Sequence, residues 1–479
     1  MSTTEAFRVV EQAAEVVPVA NPYTGEVLAH VPLCGPEEVD RACTRAAAAL
    51  ARDDFPPHAR ARVLDAAARR LGERQEELAQ LITAESGKVI RDARAEVGRA
   101  AETLRFSAAE ARTLTGEVVP MEATAAGVGK LGLAIRLPIG VVGAITPFNF
   151  PINTVAHKIA PAVAAGCPVV LKPAPQTPLT AIRLVELLVE CGLPEDWITV
   201  VTDEEKRAGE ALVEHPVPRL LTFTGSSVVG WGIAAKAPRK KVLLELGSNA
   251  PVIVEPGVAL PECAQRIARA AFGTAGQSCI SVQRVLVHRS VHAELRDLLA
   301  EAAAGLVVGD PTAEGSDVGP LITRDETARV HTWIREAAAE GGEVVSGGVL
   351  EDGCLRPTVL DRAPDGSKVR TRELFGPVLV LIAYDDFDEA LRIANETPYG
   401  LQAGVFTTDL GKALRAAREL DFGGVLVNDV PTYRADQQPY GGVGESGNTR
   451  EGPHFAVREM TEIRFVSLQA PPLDGSARS

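Results

Sequence analysis

The sequence has few aromatic residues, no long apolar run and no paired cysteines. Aromatic side chains make up 4% of the 479 residues, which argues against a bulky aromatic substrate. No apolar run approaches the roughly 20 residues of a membrane-spanning helix. The opening residues, MSTTEAFRVVEQAAE, are acidic and contain no hydrophobic signal-peptide core. We therefore expect a cytoplasmic protein that has no membrane partner.

The chain has fewer basic than acidic residues. The 49 Lys and Arg residues are outnumbered by 63 Asp and Glu residues, so the net charge is −14, which argues against non-specific binding to nucleic acid or anionic membranes. The seven cysteines are scattered, and no two have the spacing of a metal site. They are Cys34, Cys43, Cys167, Cys191, Cys263, Cys279 and Cys354. We expect reduced cytosolic thiols and no bound metal.

The remaining composition is that of a large globular protein, and its length predicts two or three domains. Short apolar runs alternate with helical patterns in its middle third. The predicted strands are Gly140–Thr146, Val169–Lys172, Trp197–Val201 and Leu220–Phe223, and the helices between them include Leu179–Cys191 and Glu204–Glu214. Such alternation is typical of a parallel sheet with helices on both faces. A second series, with the runs VLLELGSNAPVIV, VLVHRS, VVGDP, VLVLIAY and GVLVND, follows from Lys241. The sequence predicts an α/β fold with two doubly wound parallel sheets.

One cysteine lies where a loop leads into a strand. Cys279 follows the small and polar residues Gly273-Thr-Ala-Gly-Gln-Ser and precedes the apolar run that begins at Val285. A thiol held rigidly at the edge of a sheet is a good candidate for a nucleophile, because its thiolate is accessible near neutral pH. The alternative is a small buried side chain without chemistry, which is the usual role of a free cysteine.

Two segments could bind an anion. Gly225 and Ser226 stand between a predicted strand and a helix, so free backbone N–H groups and the positive end of the helix dipole coincide there. Lys172 ends another predicted strand, where ligands of open α/β sheets bind. A simple helix cap and a solvated lysine are the corresponding structural interpretations.

Two further polar residues stand in unusual surroundings. Glu245 interrupts the apolar strand pattern VLLEL, and burial there would raise its pKa unless it is paired. Asn149 lies between two phenylalanines and two prolines in TPFNFP, a rigid turn at a strand end. An ion pair and a turn-stabilising amide are the alternatives for these two residues.

The ordered set TPFNFP, VVLKP, FTGS, LELGSNAP, GQSCISVQR, ELFGPV and PYGGVGESG resembles the NAD(P)-dependent aldehyde dehydrogenase superfamily. The spacing of 34 residues between Glu245 and Cys279 (279 − 245) is also similar to that family's. The resemblance implies that Cys279 is the nucleophile and Glu245 the general base. It also implies that Asn149 and the Cys279 backbone N–H form the oxyanion hole.

The same resemblance assigns a set of cofactor-binding residues for NAD or NADP. Lys172 matches the ligand of the adenosine ribose, and Glu373 matches the ligand of the nicotinamide ribose. The other positions, which surround the pyrophosphate and the nicotinamide, are Thr146, Pro147, Gly225, Ser226 and Phe375. Two positions depart from the pattern. Ser248 replaces a common glycine, and Pro175 stands where NAD-preferring members often have glutamate, so the choice between NAD and NADP stays open.

The family plan divides the chain into a cofactor domain, a catalytic domain and a small β oligomerisation hairpin. The corresponding residues are 1–112 and 136–246, then 247–445, then 113–135 and 459–470, with a disordered tail at 471–479. We expect a homodimer or homotetramer, because a monomer would expose the apolar residues of these strands.

The segment from Asn428 to the glycines at 441 and 442 resembles a branch that acts on lactaldehyde, glyceraldehyde and phosphonate aldehydes. Arg434 is the candidate anchor for a polar or anionic tail of the substrate, with an interface arginine as the alternative. Weaker candidates for the same pocket are Tyr433, Arg105 and His157. We predict oxidation of a small polar or anionic aldehyde to its acid. The alternatives are a coenzyme A-acylating enzyme, which generally lacks the base, and a catalytically silent member.

Overall fold

The computed structural model describes residues 9–204 and 207–469, so the predicted tail at 471–479 lies outside the described residues. The strands, numbered along the chain, are β1 (Val16–Ala20), β2 (Val27–Pro32), β3 (Glu117–Val119), β4 (Lys130–Pro138), β5 (Val141–Ile145), β6 (Val169–Lys172), β7 (Ile198–Val200), β8 (Pro218–Thr224), β9 (Lys241–Glu245), β10 (Pro251–Val254), β11 (Arg284–His288), β12 (Glu343–Ser346), β13 (Leu350–Glu351), β14 (Cys354–Leu355), β15 (Thr358–Asp361), β16 (Val378–Tyr384), β17 (Tyr399–Gly400), β18 (Gln402–Phe406), β19 (Gly424–Val427), β20 (Val443–Gly444) and β21 (Thr461–Gln469).

The helices, numbered in the same way, are α1 (Pro36–Arg52), α2 (Pro57–Glu73), α3 (Gln75–Ser86), α4 (Ile90–Thr113), α5 (Asn153–Ala165), α6 (Pro178–Glu190), α7 (Arg207–Glu214), α8 (Ser227–Lys236), α9 (Leu260–Phe272), α10 (His292–Ala304), α11 (Arg324–Ala339), α12 (Lys368–Thr371), α13 (Phe387–Asn395), α14 (Leu410–Glu419) and α15 (Pro453–Glu459). Short 3-10 turns add Met121–Ala123, Ala125–Gly127, Gly273–Gly276 and Arg289–Val291.

The first sheet has the strand order β7-β6-β5-β8-β9, and all of its neighbours are parallel. Successive residues of a strand point to opposite faces. Val141 and Val170 accordingly join a core with α1 and α7, whereas Val142 and Leu171 join a separate core with α2 to α6. Helices therefore cover both faces, which explains why these strands are apolar throughout.

The second sheet has the order β12-β15-β16-β11-β10-β18-β19. Its neighbours are parallel apart from the edge strand β12, which is antiparallel to β15. Its central strands lie in one core with α9 to α11 and α13. The chain passes from the first sheet to the second between Glu245 and Pro251, so the carboxyl end of β9 lies where the two sheets meet.

A small antiparallel sheet, β21-β4-β3, stands apart from the two large sheets. It joins the predicted hairpin region to the last strand, with Thr461 paired to Pro138 and Gln469 to Lys130. Apolar side chains remain exposed on it, among them Val118, Leu131, Ile463, Phe465 and Leu468. Two parallel sheets and one small antiparallel sheet confirm the predicted fold class.

The structure differs from the sequence prediction in two local details. The run Val307–Pro311 was predicted as a strand but forms only an isolated bridge from Val308 to Val318, because Gly309, with φ +147°, turns the chain there. Glu245 does not interrupt β9 but ends it. Its side chain therefore reaches the crevice at the strand ends without disturbing the sheet.

The described residues include no helix that is long and apolar enough to cross a bilayer. Within residues 9–204 and 207–469, no group of three or more His, Cys, Asp or Glu residues is arranged to hold a metal ion. All seven cysteines are free.

Candidate active site

A cavity of about 1110 Å³ opens at the carboxyl ends of the strands, where the two sheets meet. Its walls include the predicted nucleophile, base and amide together with parts of the predicted cofactor site. Residues that line it include Asn149, Gly225, Glu245, Cys279, Glu373 and Arg434. Ligands of open α/β sheets bind at this edge. The fold and the sequence motifs therefore indicate the same cavity as the site.

A strained loop carries the thiol into the cavity. Thr274 and Ala275 have φ values of +53° and +52°, a left-handed conformation that costs free energy in residues other than glycine. Gly276 is also left-handed, and a side chain there would overlap the carbonyl of Gly376. Cys279, three residues further on, is half-buried. Burial raises the pKa of its thiol to about 12, although other contacts act in the opposite direction.

Asn149 is buried, and its Nδ2 donates a hydrogen bond of 2.8 Å to the backbone oxygen of Gln277, two residues before the thiol. A side chain of α4 holds the turn that carries this amide. Glu96 accepts the backbone N–H groups of Ile152 and Asn153 at the start of α5, at 3.0 and 3.1 Å, and it also pairs with the buried Lys88. A carboxylate at a helix start stabilises both the helix and the turn before it.

Glu245 is buried, and neither of its carboxyl oxygens has a hydrogen-bond partner among the described residues. Burial raises its pKa well above the ordinary value, and the nearby Glu451 raises it further. The carboxyl group has room because residue 441 is glycine. A side-chain carbon there would overlap the Thr449 carbonyl and lie 2.7 Å from Glu245 Oε1. An unpaired carboxyl group with a raised pKa is suited to proton transfer.

Arg434 lies beside the thiol within a buried charge network. Its guanidinium carbon is 3.7 Å from the centre of the Tyr440 ring, and its Nη2 donates to Glu451 Oε2 at 2.9 Å. Glu451 Oε1 is 3.2 Å from Lys158 Nζ, which also donates to the Thr222 hydroxyl at 3.1 Å. Burial alone would raise the pKa of the Glu451 carboxyl, but the two cations lower it to about 2.

His157 lies behind Arg434 rather than on the cavity wall. Its Nε2 is within 3.3 Å of Arg434 Nη2, Asp436 Oδ1 and Thr103 Oγ1. Burial lowers its pKa and so favours the neutral ring. Asp436 also accepts a hydrogen bond of 2.9 Å from Arg99, which does line the cavity. His157 therefore positions Arg434 and does not face the cavity itself.

The predicted cofactor residues cluster at the ends of the first sheet. Lys172 ends β6, and its Nζ is 2.7 Å from Asp203 Oδ1, which follows β7. Ser226 precedes the first residue of α8, and Gly225 N–H donates to the backbone oxygen of Glu245 at 3.1 Å. Pro147 lines the cavity, whereas Thr146 is buried beneath it.

The other half of the predicted cofactor site comes from the second sheet. Glu373 Oε1 accepts the Ser248 backbone N–H at 3.0 Å. Burial raises the pKa of the Glu373 carboxyl to about 7. Phe375 has a left-handed φ of +51° and packs edge-on against Phe148, with ring centres 5.8 Å apart. The serine that departs from the family pattern thus contributes its backbone to this wall.

Three predicted substrate residues lie outside the cavity, and this placement corrects the sequence prediction. Besides the buried His157, they are Tyr433, which is 53% exposed, and Arg105, which is exposed and paired with Glu102. Arg99 takes the place on the cavity wall that was predicted for Arg105. The two arginines lie six residues apart on α4, and a helical turn of 3.6 residues puts them on different faces.

Sequence reasoning missed five residues that complete the network, namely Arg99, Lys158, Asp436, Tyr440 and Glu451. Tyr440 belongs to the motif PYGGVGESG, so its position was marked but its contact with the thiol was not. The other four have partners that are distant in sequence. A buried-type helix that contains both a histidine and a lysine, as in NTVAHKIAPAVAA, was the available signal.

Comparison with known proteins identifies the family. The family model described as "Aldehyde dehydrogenase family" matches residues 9–466. The chain is 44% identical over 458 residues to 3-sulfolactaldehyde dehydrogenase from Priestia aryabhattai, covering 96% of each protein.

Two solved structures have the same fold over nearly the whole chain. Aldehyde dehydrogenase 21 from Physcomitrella patens, in complex with the product succinate, is 39% identical, with a TM-score of 0.91 and 95% of each chain covered. Glyceraldehyde-3-phosphate dehydrogenase from Methanocaldococcus jannaschii, complexed with NADP, is 35% identical, with a TM-score of 0.91 and coverage of 95% of this chain and 99% of that one. The chain therefore belongs to the aldehyde dehydrogenase family and is an NAD(P)-dependent oxidoreductase that converts an aldehyde to its carboxylic acid.

Proposed function

We propose that this enzyme oxidises a short aldehyde with an anionic tail, and that Cys279 forms the covalent intermediate. The observation that carries the proposal is that Cys279, Asn149 and Glu245 share one cavity with the guanidinium groups of Arg99 and Arg434. The first three residues provide the chemistry of aldehyde oxidation. The two arginines provide the charge that would select the tail.

Carbon–sulfur bond formation begins the reaction. The Cys279 thiolate attacks the aldehyde carbon and turns the carbonyl oxygen into an oxyanion. Asn149 Nδ2 has a second N–H beyond the one that it donates to Gln277, and together with the Cys279 backbone N–H it would stabilise this charge. One such donor contributes about 3 kcal/mol to comparable reactions. A bound NAD(P) supplies the hydride acceptor for the next step.

Loss of hydride leaves a thioester on Cys279, which water must hydrolyse. Glu245 would remove a proton from that water, because its carboxyl group is unpaired and burial holds its pKa up. The presence of this base favours the free acid as product over a coenzyme A thioester. It also argues against a silent family member.

The residues at the strand ends fit a dinucleotide. The hydroxyl oxygens of Thr146 and Thr224, which follow or end β5 and β8, are buried and have no partner within residues 9–204 and 207–469. Such atoms are satisfied when a ligand supplies a hydrogen bond. Ser226 at the start of α8 offers free N–H groups to a pyrophosphate, and we assign Lys172 and Glu373 to the two riboses.

The charge network around Arg434 favours an anionic tail. It has three cations and two anions. The cations are Arg99, Lys158 and Arg434, and the anions are Asp436 and Glu451. A sulfonate or carboxylate would balance the remaining positive charge. Two relatives agree with this class, since one is named for sulfolactaldehyde and the other was solved with succinate.

Steady-state assays with a panel of aldehydes test the proposal. Sulfolactaldehyde, sulfoacetaldehyde and succinate semialdehyde should give kcat/KM values at least about tenfold above those of lactaldehyde and propanal, with NADH or NADPH formation as the readout. Cys279→Ala should abolish turnover while the cofactor still binds. The partly exposed but remote Cys191→Ala serves as the control. Equal rates for charged and neutral aldehydes would refute the tail assignment, and activity in Cys279→Ala would refute the nucleophile.

A further inference from the structure

The hydroxyl group of Tyr440 lies 2.9 Å from the sulfur of Cys279. Either atom can donate. The ring packs with Ile280 and Leu401 in a small apolar cluster against the thiol. A phenol in this position touches the reacting atom itself.

The chain fixes Tyr440 tightly in this place. Its backbone N–H and C=O groups both bond to Glu451, at 3.1 and 2.6 Å. The Arg434 guanidinium covers one ring face. A phenol restrained by its backbone and by its ring is preorganised, so little entropy is lost when its hydroxyl donates a hydrogen bond.

We propose that Tyr440 is a further catalytic residue, whose hydroxyl donates a hydrogen bond to the thiolate of Cys279 and so increases the fraction of enzyme that carries a nucleophile. The proposal rests on the assignment of Cys279 as the nucleophile. The phenol keeps its proton throughout. The thiol proton leaves to solvent, and no bond to Tyr440 forms or breaks.

The surroundings of the sulfur otherwise disfavour its anion. Burial opposes a negative charge on Cys279 most strongly, Glu373 and Glu245 also oppose it, and Arg434 favours it. The positive charge of Arg434 is already partly neutralised by its ion pair with Glu451. An O–H group directed at the sulfur stabilises its anion specifically, since hydrogen bonds to charged acceptors are stronger than those to neutral ones.

Alkylation of the resting enzyme by iodoacetamide between pH 7 and pH 9, where the raised pKa keeps the thiol mostly protonated, tests this role without any aldehyde. The modified Cys279 peptide is followed by mass spectrometry, because Cys191 is also partly exposed. In Tyr440→Phe the thiolate fraction at each pH should fall about tenfold, which corresponds to a rise of about one unit in the pKa. The alkylation rate should therefore fall about three- to fourfold at every pH in this range, because a more basic thiolate is a better nucleophile and offsets part of the loss.

Tyr384→Phe is the matched control. It also removes a buried phenol hydroxyl, which bonds to Val254 and Glu255 and does not line the cavity, and its alkylation rate should equal that of the unmodified enzyme. Cofactor affinity and thermal midpoint report whether each variant is folded. A folded Tyr440→Phe with an unchanged alkylation rate overturns the role of Tyr440. Activity in Cys279→Ala overturns the proposed function instead, so the two failures are distinguishable.

Discussion

Glu245 has a role at the residue scale that can be separated from that of the thiol. In Glu245→Gln, hydride transfer should survive while hydrolysis of the thioester slows. We therefore expect a burst of reduced cofactor, close to one per active site, followed by turnover at least about a hundredfold slower, within the range of general base catalysis.

The pH dependence of the same step follows from the carboxyl group. A base must lose its proton to act, and burial raises the pKa of Glu245. The hydrolytic rate should therefore increase with pH until that raised pKa is passed, and Glu245→Gln should lose this increase. Stopped-flow and steady-state measurements across pH check both points. Disappearance of the burst would mean that Glu245 activates the thiol as well.

The arginines on the cavity wall offer a second prediction at this scale. Arg99 is 31% exposed and pairs with Asp436, whereas Arg434 supports both Tyr440 and Glu451. Arg99→Met should raise KM for an anionic aldehyde about tenfold, the equivalent of roughly 1.4 kcal/mol, and leave propanal nearly unchanged. Arg434→Ala should impair both substrates, the anionic one more strongly. An equal effect of Arg99→Met on both aldehydes would contradict the tail assignment.

Single residues also show what the sequence could predict. Cys279, Asn149 and Glu245 stand in short motifs whose chemistry is local, and the structure brings them together in one cavity. The sequence predicted Arg434 as a substrate anchor but predicted none of its contacts. Its hydrogen bonds with His157 and Glu451 join residues that are distant in sequence, and only the folded structure brings these residues together.

At the scale of elements, the ends of β6 and β7 bear on the choice of cofactor. Lys172 is assigned to the adenosine ribose, and the buried Asp203 already neutralises it. A 2′-phosphate would meet this carboxylate, so we predict a preference for NAD. Asp203→Asn should lower KM for NADP about tenfold, roughly 1.4 kcal/mol, with little effect on NAD.

Glu204→Gln, which removes an exposed charge next to Asp203 in the chain, is the control for that experiment and should leave the ratio of NADP to NAD efficiency unchanged. Kinetics with both cofactors supply the measurement. The prediction fails when the unmodified enzyme prefers NADP, or when Asp203→Asn keeps the original ratio.

Elements were predictable where burial on both faces makes a strand continuously apolar. β6 and β16 have the predicted bounds for that reason. Val307–Pro311 has the same kind of residues, but Val307 is exposed and glycine follows within two positions. Composition alone does not distinguish such a loop from a strand.

For the whole molecule, the small sheet β21-β4-β3 predicts self-association. β21 forms its edge and exposes Ile463, Phe465 and Leu468, and an exposed apolar edge is a template for pairing with a second chain. Light scattering at micromolar concentration should give a dimer or tetramer. Phe465→Asp should shift the association equilibrium toward the monomer. Leu410→Asp, at an apolar residue exposed on α14, should leave this equilibrium unchanged. A monomeric unmodified protein would exclude the assembly.

The charge network around Arg434 has one more cation than anions, but it lies within a chain whose net charge is −14. An anionic aldehyde approaching from solution is therefore repelled at long range and attracted only near its binding site. Dissolved ions screen charges separated by more than the Debye length, about 10 Å at 0.1 M salt, and screen buried pairs far less. Added salt should consequently raise kcat/KM for the anionic substrate in dilute buffer, whereas kcat/KM for a neutral aldehyde should not change. The enzyme would capture its substrate better at the ionic strength of a cell than in nearly pure water.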